Sequence, residues 1–214
     1  MDPIPQSTPG GAVPLNATER RIVGVLIEKG LTTPEYYPMT VNALVAGCNQ
    51  KNNRDPLTTL DVDAVETSLK TLEQKGLVLS VIGDSGRVVR WRQELARKLE
   101  FSVTDLAVLG ELLLRGEQSE GDLRGRASRM RPIETLEVLR EVLKRLAARR
   151  PPLVIRLSPE GSARGVQWTH GMLPAEQLAK GFAEPAPAPT RDELMLRLDR
   201  LEARVARLES ERTG

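Results

Sequence analysis

Few residues of this chain could turn over a substrate, and those that could bind one are arginines and side-chain amides. Nucleophilic catalysis needs a nucleophile and a base within hydrogen-bond reach, but the chain has one cysteine, Cys48, and one histidine, His170, far apart in sequence. His170 alternates with Val166 and Trp168, so it shares a strand face with apolar neighbours and reads as a packing or edge residue rather than a general base. Cys48 follows a short apolar helix and reads as a buried thiol. There is no Cys/His spacing suited to a metal and no glycine loop suited to a phosphate. The expectation is a protein that is not an enzyme and carries no cofactor or metal.

Binding chemistry falls on three sets of residues. The run Asn49, Gln50, Lys51, Asn52, Asn53 and Arg54 is either a loop whose amides cap nearby backbone groups or a surface that meets a partner, a phosphate or a base edge. Arg87, Arg90 and Arg92 decorate a hairpin, with Arg90 and Arg92 on one strand face. Arg124, Arg126, Arg129 and Arg131 cluster around a short helix in the second half of the chain. Both arginine sets could contact phosphates, and both could equally be consumed by the abundant carboxylates.

The elements that must position these groups occur twice. Leu15-Asn-Ala-Thr-Glu19 opens the stripe Ile22, Val23, Val25, Leu26 and stops at Gly30; Phe101-Ser-Val-Thr-Asp105 opens Val108, Leu109, Leu112 and stops at Gly116. Asn16 with Glu19 and Ser102 with Asp105 have the spacing of capping boxes. A second stripe, Val62, Val65, Leu69, Leu72, has the spacing of Leu136, Leu139, Leu143, Leu146. Gly76 is placed to close the first of these helices. Period-two segments follow, 77–82 with 87–92 and 153–157 with 166–170, and Trp91 matches Trp168. Each copy therefore reads as three helices and a two-stranded hairpin, the plan of a winged helix, and the first carries about twelve extra residues between its first and third helices. The fold class expected is mainly α with small β-hairpins (α+β): tandem winged-helix domains, a helix-turn-helix variant, plus a C-terminal coiled-coil helix.

The organisation expected is a disordered leader over 1–14, winged-helix domains over 15–100 and 101–182, a Pro/Ala linker over 183–190 and a coiled coil over 191–212. The leader lacks the basic start and apolar run of a signal peptide, no window is apolar enough to cross a bilayer, and a lone cysteine forms no intrachain disulfide, which together suggest the cytoplasm. With aromatics at 3%, the cores must be built from Leu, Val and Ile. The formal net charge is only +2, without the segmental excess of a dedicated nucleic-acid binder. The third helix of the first copy leans acidic as well, exposing Asp61, Asp63, Glu66, Lys70, Glu73 and Gln74, a face that a phosphate backbone repels.

Glu28-Lys-Gly-Leu-Thr-Thr-Pro-Glu-Tyr-Tyr-Pro38 and the following Asn42-Ala-Leu-Val-Ala-Gly-Cys-Asn-Gln-Lys-Asn-Asn-Arg-Asp-Pro56 resemble the signature of the YceH-like family of uncharacterised bacterial proteins. The likeness runs from about residue 15 to about 182, with Asp55 and Leu57 as type-preserving departures. It implies a tandem winged-helix fold and brings no catalytic residues.

In the tail, Leu194, Leu198, Leu201, Val205 and Leu208 alternate by four and three, a coiled-coil seam with Arg197, Arg204, Glu202 and Glu209 at its flanks. A parallel homodimer is expected from it, the alternative being a helix folded back on the body. The functional expectation is a DNA-binding or transcription-regulatory protein acting on double-stranded DNA. The alternative is a protein–protein interaction module of a larger bacterial assembly.

Overall fold

The computed structural model describes residues 13–82, 88–159, 161–162, 165–173 and residue 195. Residues 1–178 form one compact unit and 179–214 another. The tail seam, the linker, most of the leader and the hairpin residues 83–87 lie outside the described residues.

The first half runs α1 (Ala17–Thr32), a single 3-10 turn (Pro34–Tyr36), α2 (Val41–Cys48), α3 (Val62–Gln74), β1 (Val78–Ile82) and β2 (Val89–Gln93). A short α4 (Leu95–Lys98) leads into the second half, which runs α5 (Val103–Arg115), β3 (Gln118–Ser119), α6 (Glu120–Ala127), α7 (Leu136–Ala147), β4 (Val154–Arg156) and β5 (Gln167–His170). The protein is thus a mixed α and β structure of helices with small antiparallel sheets.

Local chemistry sets the boundaries. Asn16 and Ser102 each accept from the third backbone N–H of their helix while Glu19 and Asp105 reach back, so both expected capping boxes are formed. Beyond α3, Gly76 sits at φ +67°, Gly76 N–H donates to Glu73 O and Leu77 N–H to Leu72 O. That is a Schellman closure, and it turns the chain straight into β1. Two expectations are corrected. α1 continues through Gly30 to Thr32, and Val62 is 40% exposed because it occupies the first turn of α3, ahead of the core-facing Val65, Leu69 and Leu72.

Each hairpin is joined by a third piece of extended chain just before the second helix of its half. Met39 exchanges both backbone hydrogen bonds with Trp91, and Gln118 of β3 pairs with Trp168 of β5. The two halves share one core, in which the largest interhelical contact is α1 against α5. Glycines permit that approach: a Cβ on Gly24 would come within 2.9 Å of Leu114, and one on Gly110 within 2.7 Å of Ile27. Among the described residues no helix is long and apolar enough to cross a membrane.

Candidate functional site

Helix α5 is apolar nearly all round, from Leu106 to Leu114, and such a helix must be buried. The one charge within that stretch, Glu111, is buried with it and requires a cation. Helix α1 presents the same problem at Glu28, which is 2% exposed.

A closed ring of side chains answers both. Arg54, itself buried, donates to Glu28 through Nη1 at 3.3 Å and Nη2 at 2.5 Å. Arg129 donates to Glu28 through Nη1 and to Glu111 through Nη2, the latter at 2.9 Å. Arg115 Nε lies 3.0 Å from Glu111 Oε1, and its Nη2 donates to Asn53 Oδ1 at 2.9 Å. Asn53 returns to the start, its carbonyl accepting from Arg54 Nη1 at 2.8 Å. The first half supplies Glu28, Asn53 and Arg54, and the second supplies Glu111, Arg115 and Arg129. Three guanidinium groups against two carboxylates leave the ring one positive charge. Burial alone would raise the Glu28 carboxyl, but the hydrogen bond and charge of Arg54, with Arg129 and Lys29, hold it below the ordinary range.

The polar run therefore divides. Asn49 faces inward, its Nδ2 donating to Leu60 O at 2.7 Å and its Oδ1 accepting from Leu60 N at 2.8 Å, which closes the loop on itself. Gln50 accepts from Arg54 Nη2 at 2.9 Å. Asn53 adopts φ 59°, a left-handed conformation that asparagine tolerates. Lys51 and Asn52 are exposed. Residues 50–53 line a shallow polar groove of about 380 Å³ with Glu28, Lys29, Thr32 and Arg129.

The arginine sets divide too. Arg92 pairs with Glu94 at 3.0 Å, and Arg126 donates to Gln118 at 2.9 Å beside Asp122. Arg124 donates to the carbonyls of Ile133 and Glu134, and Arg90 to that of Pro38. Arg90 and Arg131 remain exposed, without an ion pair among the described residues. Arg87 and the seam residues Leu194, Leu198, Leu201, Val205 and Leu208 lie outside the described residues.

His170 and Cys48 are both buried. Burial, and then the charge of Arg20, depress the imidazole to about 4, while burial pushes the Cys48 thiol up to about 12. Neither is poised for acid–base or nucleophilic work near neutral pH. Among the described residues no group of acidic, histidine or cysteine side chains is arranged to hold a metal.

Sequence reasoning missed Glu28, Glu111 and Arg115. Glu111 had a local signal, a single carboxylate within the apolar run from Leu106 to Leu114. The Glu28–Arg129 contact spans 101 residues, and nothing local announces it.

By class, then, this is a mixed α and β protein whose halves are tied by a partly buried ring of charge. The chain belongs to the family described as "Protein of unknown function, DUF480", whose model matches residues 15–163. It is 44% identical over 200 residues to a UPF0502 protein of Geotalea uraniireducens, covering 94% of this chain and 89% of the relative. A UPF0502 protein of Koribacter versatilis is 41% identical over 174 residues, covering 81% and 78%. Another, of Opitutus terrae, is 41% identical over 195 residues, covering 89% and 84%.

Proposed function

We propose that the protein is a non-enzymatic tandem winged-helix module, as its YceH-like resemblance implies, and that it docks another protein on its first hairpin. The observation that carries this reading is the apolar exposure of the described strand residues that flank 83–87. Ile82 and Val89, partners in register, are 72% and 47% exposed, and the adjoining Val88 is 46% exposed. Scattered apolar residues are normal on a surface, but a paired cluster projecting from a hairpin suits a partner. The acidic outer face of α3 and the internal use of Arg92, Arg126 and Arg129 support a protein partner over duplex DNA. A cytoplasmic location and a parallel dimer through 191–212 belong to the same reading.

In-cell crosslinking of the full chain, compared with Ile82→Ser/Val89→Ser, tests the docking surface. A protein adduct formed by the wild type and lost in the double variant is expected, and an unchanged adduct pattern rejects the hairpin. Exposed Arg90 and Arg131 favour the second reading, duplex binding. Saturable anisotropy with a random duplex, weakening steeply between low and physiological salt and lost on Arg90→Glu/Arg131→Glu, would replace our reading with that one. For the tail, Leu198→Glu/Leu201→Glu should convert a dimer to a monomer by light scattering, and an unchanged mass rejects the seam.

A further inference from the structure

Two arginines are buried near the junction of the halves, and only one is satisfied. Arg54 uses Nε, Nη1 and Nη2 on Glu28, Gln50 and the carbonyls of Gly47 and Asn53. Arg21 is 4% exposed, yet its single described hydrogen bond runs from Nη2 to the carbonyl of Pro56, and its Nη1 is buried without a partner. Among the described residues it forms no ion pair. A buried guanidinium in that state is costly unless an anion completes it.

Arg21 lines a cleft of about 380 Å³ bounded by α1, the loop before α3, the end of α5 and His170 of β5. Arg20 lines the same cleft, half-buried and also without an ion pair among the described residues. His170 is 4% exposed and its Nδ1 is buried without a hydrogen-bond partner. Arg115 contributes to the wall, but Glu111 balances its charge. The two carboxylates of the lining, Asp55 and Glu117, are exposed side chains. The cleft therefore has unpaired cationic and imidazole groups in its buried wall and acidic groups exposed to water. Its volume falls within the range of small-ligand sites, larger than a bare ion requires.

We propose that this cleft binds a small organic oxyanion, a phosphate ester or a polycarboxylate, through charge-assisted hydrogen bonds from Arg20 and Arg21. The site is independent of the hairpin surface, and its ligand would touch both halves at once. Neither arginine belongs to the two arginine sets singled out in the sequence.

His170, the only histidine, gives a unique reporter. An anion beside Arg20 offsets the repulsion acting on the imidazole and raises its titration midpoint. The experiment follows the His170 ring signals of the full chain by NMR while pyrophosphate or citrate is added at constant ionic strength, with sodium chloride as control. A saturable shift, a His170 midpoint raised by about half a pH unit or more, and loss of both in Arg20→Gln support the site. Lys70→Gln, on the exposed face of α3, should bind as the wild type does, and the preferred probe distinguishes phosphate from carboxylate. Arg21→Gln serves as a second variant, with its fold checked by circular dichroism. Shifts that never saturate, that track ionic strength alone, or that persist in Arg20→Gln overturn the proposal.

Discussion

The two hairpins share a plan and differ in where their apolar residues go. Each centres on a buried tryptophan, Trp91 or Trp168, bridged by a residue from the stretch before its second helix. In the second half, Val154, Ile155 and Val166 are buried, and Trp168 Nε1 donates to Glu120, which also receives Arg140. In the first half, Ile82, Val88 and Val89 face water, and Trp91 Nε1 is buried without a partner. Two residues beyond each tryptophan stand Gln93, whose backbone N–H donates to the Tyr37 hydroxyl oxygen, and His170, buried in the cleft wall. The second hairpin buries its apolar residues, whereas the first buries Val78 and Trp91 and leaves Ile82, Val88 and Val89 at the surface. Duplicated architecture therefore does not duplicate role.

The most damaging way to test that contrast is to cut the tie between the halves. Glu28→Ala leaves Arg54 buried without its carboxylate and should cost about 3–5 kcal/mol in denaturant unfolding. A loss below about 1 kcal/mol would mean that water or rearrangement satisfies Arg54 and that the ring is not what joins the copies.

Between about pH 4 and 6.5 the pH response should be carried by His170 of the second half. With a folded value near 4 against 6.5 unfolded, His170 binds its proton more readily in the unfolded chain. Its contribution is therefore complete above about pH 6.5 and lost as pH falls towards 4, roughly 3 kcal/mol over that window. His170→Asn should flatten the part of the pH–stability curve that lies between those limits. An unchanged slope would show that carboxylates account for all of it.

The helix seam should be sensitive to a single methyl group. Gly110→Ala places a Cβ against Ile27, and overpacking of this kind costs about 1–3 kcal/mol. Thermal unfolding measures it, and a neutral result would mean that α1 and α5 can slide apart.

The smallest stability effect is expected at the exposed hairpin. Ile82→Ser should change stability by under about 0.5 kcal/mol, whereas Ile155→Ala in the buried hairpin should cost about 2–5 kcal/mol. Equal losses would erase the distinction between the two hairpins.

Much of this frame was legible in the sequence because it is local. Asn16, Ser102 and Gly76 carry their own boundary signals, and the spacing of Leu69, Leu72, Leu143 and Leu146 reports helix faces directly. Strand β3 escaped because two residues display no period, and α4 because four residues show too little of one. The polar run was legible as a loop, with Asn49 capping backbone as one reading expected. That Arg54 and Asn53 belong to a ring with Arg129 depends on tertiary packing and leaves no periodic trace.

The reciprocal glycines carry a consequence for how this chain can be divided. A polypeptide ending at residue 100 would turn the α5-facing side of α1 to solvent, with Gly24 and Ile27 stripped of Leu114 and Gly110 and with Glu28 stripped of Arg129. The complementary piece would bare α5, apolar on nearly every side. Each fragment would expose an apolar helix face that the other half covers, so either half expressed alone should aggregate or fail to fold.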